Sequence, residues 1–269
     1  MAGRRSVDSI RLQGSALPGL QLMQADSGRS FPRHSHDLYG FGLIDRGGQR
    51  SASGQGVVEA LAGDVITVNP GEVHDGVALA GQPRAWRMLY VAPALLAEEG
   101  RLPELTRAAL RDPALRQCFE ALFAVALQGA EPMALEAGLV LLRQQAPWAS
   151  AADVRGRGCP RGPSRLLERV RARLAEVDLP APSLAALAQE VGLSRFQLLR
   201  AFAATFGLPP HAWLLQRRLA RARDAITRGA ALADAAAAAG FADQSHMTRV
   251  FTRCWGFTPG TYAAAACGR

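Results

Sequence analysis

Two stretches near the carboxyl end of this chain say nearly the same thing. GLSRFQLLRAFAATFGLPPHAW starts at Gly192 and GFADQSHMTRVFTRCWGFTPGTY at Gly240. With Arg249 set over Arg200, 49 residues apart, Phe251 falls on Phe202, Gly256 on Gly207, Pro259 on Pro210 and Tyr262 on Trp213. Upstream the spacing is 48: Leu232, Ala236 and Gly240 stand for Leu184, Ala188 and Gly192, so the second turn is one residue longer. A repeat of this kind asks for one small supersecondary unit built twice.

The composition of each copy says which unit. In the first, Ser183 is placed to cap a helix whose Leu184, Leu187 and Val191 share one face. Ala188 is small enough for a second helix to approach, and Gly192 permits a tight turn. Ser194 can cap the next helix, whose apolar positions are Leu198, Phe202 and Phe206. This is the helix-turn-helix layout. In the second copy Met247, Phe251 and Trp255 take the core positions. The outward positions are Arg195, Phe196, Leu199 and Arg200 in one helix, and Gln244, Ser245, Thr248 and Arg249 in the other. Between the copies, HAWLLQRRLARARDAITR carries Leu215, Leu219, Ala222 and Ile226 at helical spacing. A helix of that length spans roughly 27 Å, close to the ~34 Å repeat of successive major grooves. One chain can thus carry two reading heads. ALADAAAAAGFA, in the second copy, is very rich in Ala, and Ala239 stands where a larger apolar residue would be ordinary, which predicts looser packing there.

Charge agrees. Ser164–Arg269 holds 14 Arg against 7 acidic residues, a net of +7, whereas the preceding 163 residues hold 17 Arg against 16, a net of +1. A basic excess confined to the repeat-bearing part favours a polyanion. No Lys occurs in the chain; Arg suits phosphate and guanine, though a total absence reads first as codon bias. The cysteines, Cys118, Cys159, Cys254 and Cys267, show no CxxC spacing, so neither a disulfide framework nor a zinc ribbon is expected. The amino terminus lacks the apolar core of a signal peptide. The most apolar run, ALFAVALQGAEPMALEAGLVLL, is broken by Glu131 and Pro132 and does not read as a membrane span. A cytoplasmic protein that does not engage a membrane is expected.

The second unit, AxxAGFADQSHMTRVFTRCWGFTPGTY, together with LAxxVGLSRFQLLRAFAATFG, resembles the DNA-binding domain of the AraC/XylS family of bacterial transcription regulators over residues 164–269. The resemblance implies that the base-reading positions fall on Phe196, Gln197, Leu199 and Arg200 in the first recognition helix. In the second they fall on Gln244, Ser245, Thr248 and Arg249. Arg can pair bidentately with guanine, Gln with adenine, and a Thr methyl or Phe can touch the thymine methyl. The implied partner is double-stranded DNA, and relatives commonly act as activators through RNA polymerase.

The amino-terminal half has a different texture. LYGFGLID, VVEAL, DVITV and WRMLYV, within residues 28–91, are short β-prone runs set off by Gly, Pro, Asp and Asn, the pattern of an antiparallel sandwich or barrel. From Ala94 to Gln145 the text turns helical, with Pro103, Pro113 and Pro132 at expected helix starts. PWASAADVRGRGCPRGP, residues 147–163, is small-residue-rich and reads as a linker. The predicted organisation is therefore two domains of α+β class. A barrel with following helices spans 1–146, a linker 147–163, and an all-α double helix-turn-helix 164–269.

Two motifs sharpen the first domain. GRSFPRHSH gives G-x5-H-x-H, and GDVITVNPGEVH gives G-x5-N-P-G-x2-H. They resemble the two cupin motifs over about residues 28–91, which implies a small antiparallel β-barrel with an interior pocket. By that resemblance His34, His36 and His74 match the three metal-binding histidines of metal cupins, but the Glu position falls on Gly40 or Phe41. Three His and a water can hold zinc; the missing carboxylate instead favours an effector pocket, with no metal and no cofactor expected. His34, His36, Tyr39 and His74 are the pocket candidates, with Arg46 and Trp86 weaker ones. Leu135, Leu139 and Leu142 form a helical stripe that suits either core or a dimer contact; the family resemblance implies a homodimer. The function expected is a sequence-specific DNA-binding regulator, an activator, controlled by a small-molecule effector. A metal-cupin enzyme is the competing class, and the absence of any convergent acid, base and nucleophile set argues against it.

Overall fold

The computed structural model describes residues 8–97, 101–149, 164–176 and 182–266. The chain forms two compact units, one of Met1–Ser150 with Arg253–Arg269, the other of Ala151–Thr252.

Among the described residues the first unit is built on ten strands: β1 (Ser9–Gly14), β2 (Leu20–Ser27), β3 (Phe31–His34), β4 (Tyr39–Arg46), β5 (Gly48–Ser53), β6 (Gly56–Leu61), β7 (Val65–Val68), β8 (His74–Ala78), β9 (Arg84–Val91) and β10 (Ala109–Leu110). They form two antiparallel sheets, ordered β1-β2-β9-β4-β7-β10 and β3-β8-β5-β6. The predicted barrel is therefore not closed. One reason lies in the edges. β3 carries Pro32, which has no N–H to donate, and its pairing with β8 is irregular between Phe31 and His34. β10 is two residues long. Such strands end a sheet rather than continue it. Two strands, β1 and β2, precede the stretch in which the sequence predicts them; their Gln-rich text, IRLQG and LQLMQADS, hides the alternation behind residues of modest β-propensity.

Strand alternation puts two different faces on β4 and β9. From β4, Tyr39, Phe41 and Leu43 enter the main apolar core, joined from β9 by Leu89 and Val91. The intervening Gly40 and Gly42 face the other way. A Cβ on Gly42 would stand 2.2 Å from Met88 Sδ and 2.7 Å from Ile66 Cγ1.

The core is closed by α1 (Pro113–Leu127) and α2 (Pro132–Gln145), which start at two of the three prolines predicted to begin helices. Asp112 caps α1, accepting from the N–H groups of Ala114 and Leu115. Pro103 starts no helix. The chain beside it runs extended: Leu105 bridges Trp148, Thr106 N–H donates to the Pro147 carbonyl at 2.9 Å, and Ala149 N–H to that of Glu104 at 2.7 Å. The first residues of the predicted linker are thus tied into the domain; the rest of it lies outside the described residues. Leu135, Leu139 and Leu142 are buried in the core.

In the second unit the repeat becomes geometry. α3 (Arg165–Ala175) leads into α4 (Leu184–Glu190) and α5 (Arg195–Phe206); α6 (Pro210–Thr227) leads to α7 (Leu232–Ala238) and α8 (Gln244–Trp255), and α9 (Pro259–Ala266), which with the last residues of α8 counts with the first unit, follows. α7 repeats α4 at an offset of 48 and α8 repeats α5 at 49, at both ends of each helix. Gly192 and Gly240 take left-handed φ of +67° and +82°. Leu193 N–H returns to the Ala188 carbonyl, and Phe241 N–H to that of Ala236, the bond that closes a helix after a left-handed glycine. The extra residue falls between this closure and the next cap. Ala235, Ala236 and Ala239 are buried despite their size.

Ser194 and Asp243 are equivalent caps. Ser194 Oγ accepts from Gln197 N–H at 3.3 Å while Gln197 Oε1 accepts from Ser194 N–H at 2.9 Å, a reciprocal capping box. Asp243 Oδ1 accepts from His246 N–H at 2.6 Å. Ser194→Ala is expected to lower stability by about 1 kcal/mol, as a lost cap does; urea denaturation measures it, and no change would mean the cap is idle.

Candidate effector pocket and nucleic-acid interface

The two sheets enclose a cavity of about 80 Å³, lined from the six-stranded sheet by Met23, Ile66, Trp86 and Met88, and from the four-stranded sheet by Phe31, His34, Gln49, Ser51 and His74. Gly40 and Gly42 leave room for the Met88 and Ile66 side chains on this side.

The three motif histidines gather here. Their ring centroids lie 4.4 Å apart for His34–His74, 5.0 Å for His36–His74 and 6.3 Å for His34–His36. Each Nδ1 meets a backbone carbonyl: that of Pro32 at 2.8 Å for His34, Leu38 at 2.8 Å for His36 and Glu72 at 3.0 Å for His74. A carbonyl only accepts, so Nδ1 carries the proton in each ring. Burial pushes the His34 pKa down to about 3, helped by the neighbouring His74 and opposed by the Pro32 carbonyl. Burial lowers His74 too, against its bond to the Glu72 carbonyl and the charges of Glu72 and Asp75. Both rings are neutral near pH 7.

His34 and His74 line the cavity; His36 sits behind them, its ring edge-on to Tyr90 at 5.3 Å. Tyr39 is elsewhere. It is buried in the core on the opposite face of β4, where its hydroxyl donates to the Pro103 carbonyl. Arg46 pairs with Asp26 at the surface, whereas Trp86 lines the cavity. Where a metal cupin has its carboxylate, a Cβ on Gly40 would stand 3.7 Å from His36 Cε1, and this position offers no ligand. Among the described residues no group of three or more His, Cys, Asp or Glu has the geometry to hold a metal ion.

Sequence inspection missed Arg84. This arginine lines the cavity at the start of β9 and is 1% exposed. The signal was the alternation in RAWRMLYV: Arg84 shares a face with Trp86, Met88 and Tyr90, while Arg87, on the other face, reaches Asp45 at 2.6 Å.

The second candidate site is formed by α5 and α8. Phe196 is 74% exposed, an unusual place for a large aromatic. Gln197, Arg200, Gln244, Ser245 and Arg249 are exposed, and Leu199 and Thr248 half-buried. Gln197 commits its Oε1 to the capping box, leaving its amide N–H groups outward. Arg200 and Arg249, at matching positions, have no hydrogen-bond or ion-pair partner among the described residues. On the inner side Leu198, Phe202, Met247 and Phe251 are fully buried. α6 has the predicted length, but Arg218 and Arg223 turn into its buried side along with Leu215, Leu219 and Ile226.

Known proteins share both halves. Residues 20–142 match the AraC-like ligand binding domain, and residues 187–265 a helix-turn-helix domain. An uncharacterized HTH-type transcriptional regulator of Bacillus subtilis, YbfI, is 27% identical over 226 residues, which is 81% of this chain and 82% of that protein. The virulence regulon transcriptional activator VirF of Yersinia enterocolitica is 31% identical over 93 residues, about a third of each chain. The bifunctional transcriptional activator and DNA repair enzyme Ada of Escherichia coli is 37% identical over 86 residues, 32% of this chain and 24% of Ada. Among solved structures, an apo ToxT variant from Vibrio cholerae has the same fold with a TM-score of 0.53 at 12% identity, over 94% of this chain and 99% of that one.

Proposed function

From the chain's membership of the AraC family of transcription regulators, with a ligand-binding domain ahead of a helix-turn-helix DNA-binding domain, we propose that α5 and α8 are its two recognition helices and that the cavity between its sheets takes the controlling effector. The observation that carries this is the pairing of Arg200 with Arg249. Both are exposed, and among the described residues unpaired, at the same position of two helices whose inner faces are buried. Phe196, Gln197, Leu199, Gln244, Ser245 and Thr248 complete the reading surface. The DNA-binding domain is taken as 164–269, so that α9 belongs functionally with α8 although Arg253–Arg269 counts with the first compact unit. The effector acts by binding two arrangements of the protein unequally.

Several finer features belong to the same reading. The protein works in the cytoplasm, has no enzymatic role, and activates transcription through RNA polymerase; VirF and Ada, its relatives, are named as activators. It pairs as a homodimer through the outer face of α2. There Met133, Val140 and Leu141 stand exposed opposite the buried Leu135, Leu139 and Leu142.

The test is binding to a pool of promoter fragments from the protein's own genome, across salt concentrations, beside Arg200→Ala and Arg249→Ala. Each substitution is expected to cost about 1–3 kcal/mol at a different part of the selected site. Weak, unselective binding that ignores both changes would end the reading-head interpretation.

A further inference from the structure

Arg84 is a buried cation that meets no carboxylate among the described residues. Its Nε donates to Gln49 Oε1 at 3.0 Å, Nη1 to the Arg29 carbonyl at 2.9 Å and Nη2 to the Gly76 carbonyl at a long 3.4 Å. All three acceptors are neutral, and a guanidinium has five N–H groups. Beneath it the Trp86 ring lies 4.4 Å from Cζ. Among the described residues no carboxylate pairs with it. The same domain supplies carboxylates to arginines nearer the solvent: Asp26 to Arg46, Asp45 to Arg87, Asp64 to Arg111 and Glu120 to Arg116.

That distribution is the reverse of what stability alone would select. Surface pairs contribute little, whereas a buried charge without a counter-charge is costly. Burial is indeed the one cause that lowers the Arg84 pKa, to about 10, which leaves it charged near pH 7. Neither of the two acids on the cavity wall pairs with Arg84, and Glu72 keeps one buried oxygen, Oε1, without a hydrogen-bond partner among the described residues. Glu72 Oε2 accepts from Asn69, and Asp75 Oδ1 from Ala52 N–H at 2.7 Å. The neutral imidazoles of His34 and His74 add no competing charge. The rest of the wall sets apolar side chains, among them Ile66, Trp86 and Met88, beside the uncharged polar groups of Gln49, Ser51, Ser53 and Thr67, and a cavity of about 80 Å³ has room for several waters at ~10–15 Å³ each, hence for a compact molecule rather than a long chain.

We propose that the cavity takes a small organic acid with an apolar body, its carboxylate paired with Arg84 and its body against Ile66, Trp86 and Met88. The inference rests on the cavity being the effector pocket, and it specifies the ligand's chemistry. A bound carboxylate supplies the missing counter-charge in a setting where a charge-assisted, two-pronged bond is strong.

The experiment is calorimetry and thermal shift on the full chain with a panel of linear, branched and cyclic acids. Hexanoate and cyclohexanecarboxylate are included, each beside its carboxamide, with cyclohexylmethylamine as the cationic control. At least one acid is expected to bind saturably and about tenfold or more tighter than its amide, and Arg84→Met to remove that preference while Arg84→Lys keeps part of it. Should Arg84→Met not fold, the acid-to-amide ratio in the unmodified protein decides alone. If an amide or the amine binds as well as the acids, and the cavity-filling Val68→Phe abolishes that binding, the pocket stands and the acid is wrong. If no member of the panel binds, the proposal falls together with the pocket.

Discussion

Phe202→Ala is expected to destabilise the helical unit by about 3–5 kcal/mol, the range for deleting a buried aromatic ring. Phe202 is 0% exposed and lies in one cluster with Leu167, Val170 and Leu174 of α3, Leu187 and Ala188 of α4, and Leu214 of α6. Its ring lies 4.5 Å from that of Phe206 and 6.3 Å, edge-on, from that of Trp213. Four helices contribute to the cluster that holds this side chain, and truncating it leaves a hole at their common core. Against a typical total of about 5–15 kcal/mol for a domain, the loss unfolds a sizeable fraction of molecules on mild heating. Urea denaturation followed by tryptophan fluorescence measures it, with Trp213 as a nearby reporter. A cost under about 1 kcal/mol would mean that the helices do not pack around this residue.

The second large effect is on acid stability. His34 has a folded-state pKa of about 3 against an ordinary 6.5. Below pH 6.5 the unfolded chain takes up a proton that the folded one refuses, so stability is fully present above about 6.5 and falls as pH drops. The slope from this group is about 1.4 kcal/mol per pH unit down to the folded pKa. By pH 4.5 His34 alone accounts for about 2–3 kcal/mol, and His74, lowered in the same direction, adds to it. Stability measured at pH 7.0 and 4.5 for the native chain and for His34→Gln is the check. The variant should lose less stability between the two pH values. Equal losses would show that the His34 ring is not held neutral.

The helical half was the more legible because its signals are local. A left-handed glycine, a capping side chain and an apolar period of three to four are each written within one turn of chain, and the duplication let each copy check the other. Gly192 and Gly240 thus fixed both turns in advance. In the sheet half, what decides a residue's role is which face of a strand it lies on and what stands across from it. Tyr39 adjoins the histidine motif in sequence, yet its side of β4 belongs to the core. Arg84 belongs to no motif, yet alternation sets it among Trp86 and Met88. Pro103 has the helix-start chemistry of Pro113 and Pro132, but tertiary pairing of Leu105 with Trp148 overrides it.

Gly40 and Gly42 give β4 an asymmetric evolutionary freedom. On its core face, one apolar side chain can be exchanged for another of similar volume. On its other face, where Ile44 is also buried, β4 sets Gly40 and Gly42 beside the cavity, and any Cβ at position 42 meets Met88 and Ile66. A larger residue at position 42 therefore only takes space away from the cavity. The contour of the cavity is free to change through the side chains of the strands around it, Ile66 of β7 and Trp86 and Met88 of β9 among them, while the two glycines of β4 stay its fixed floor.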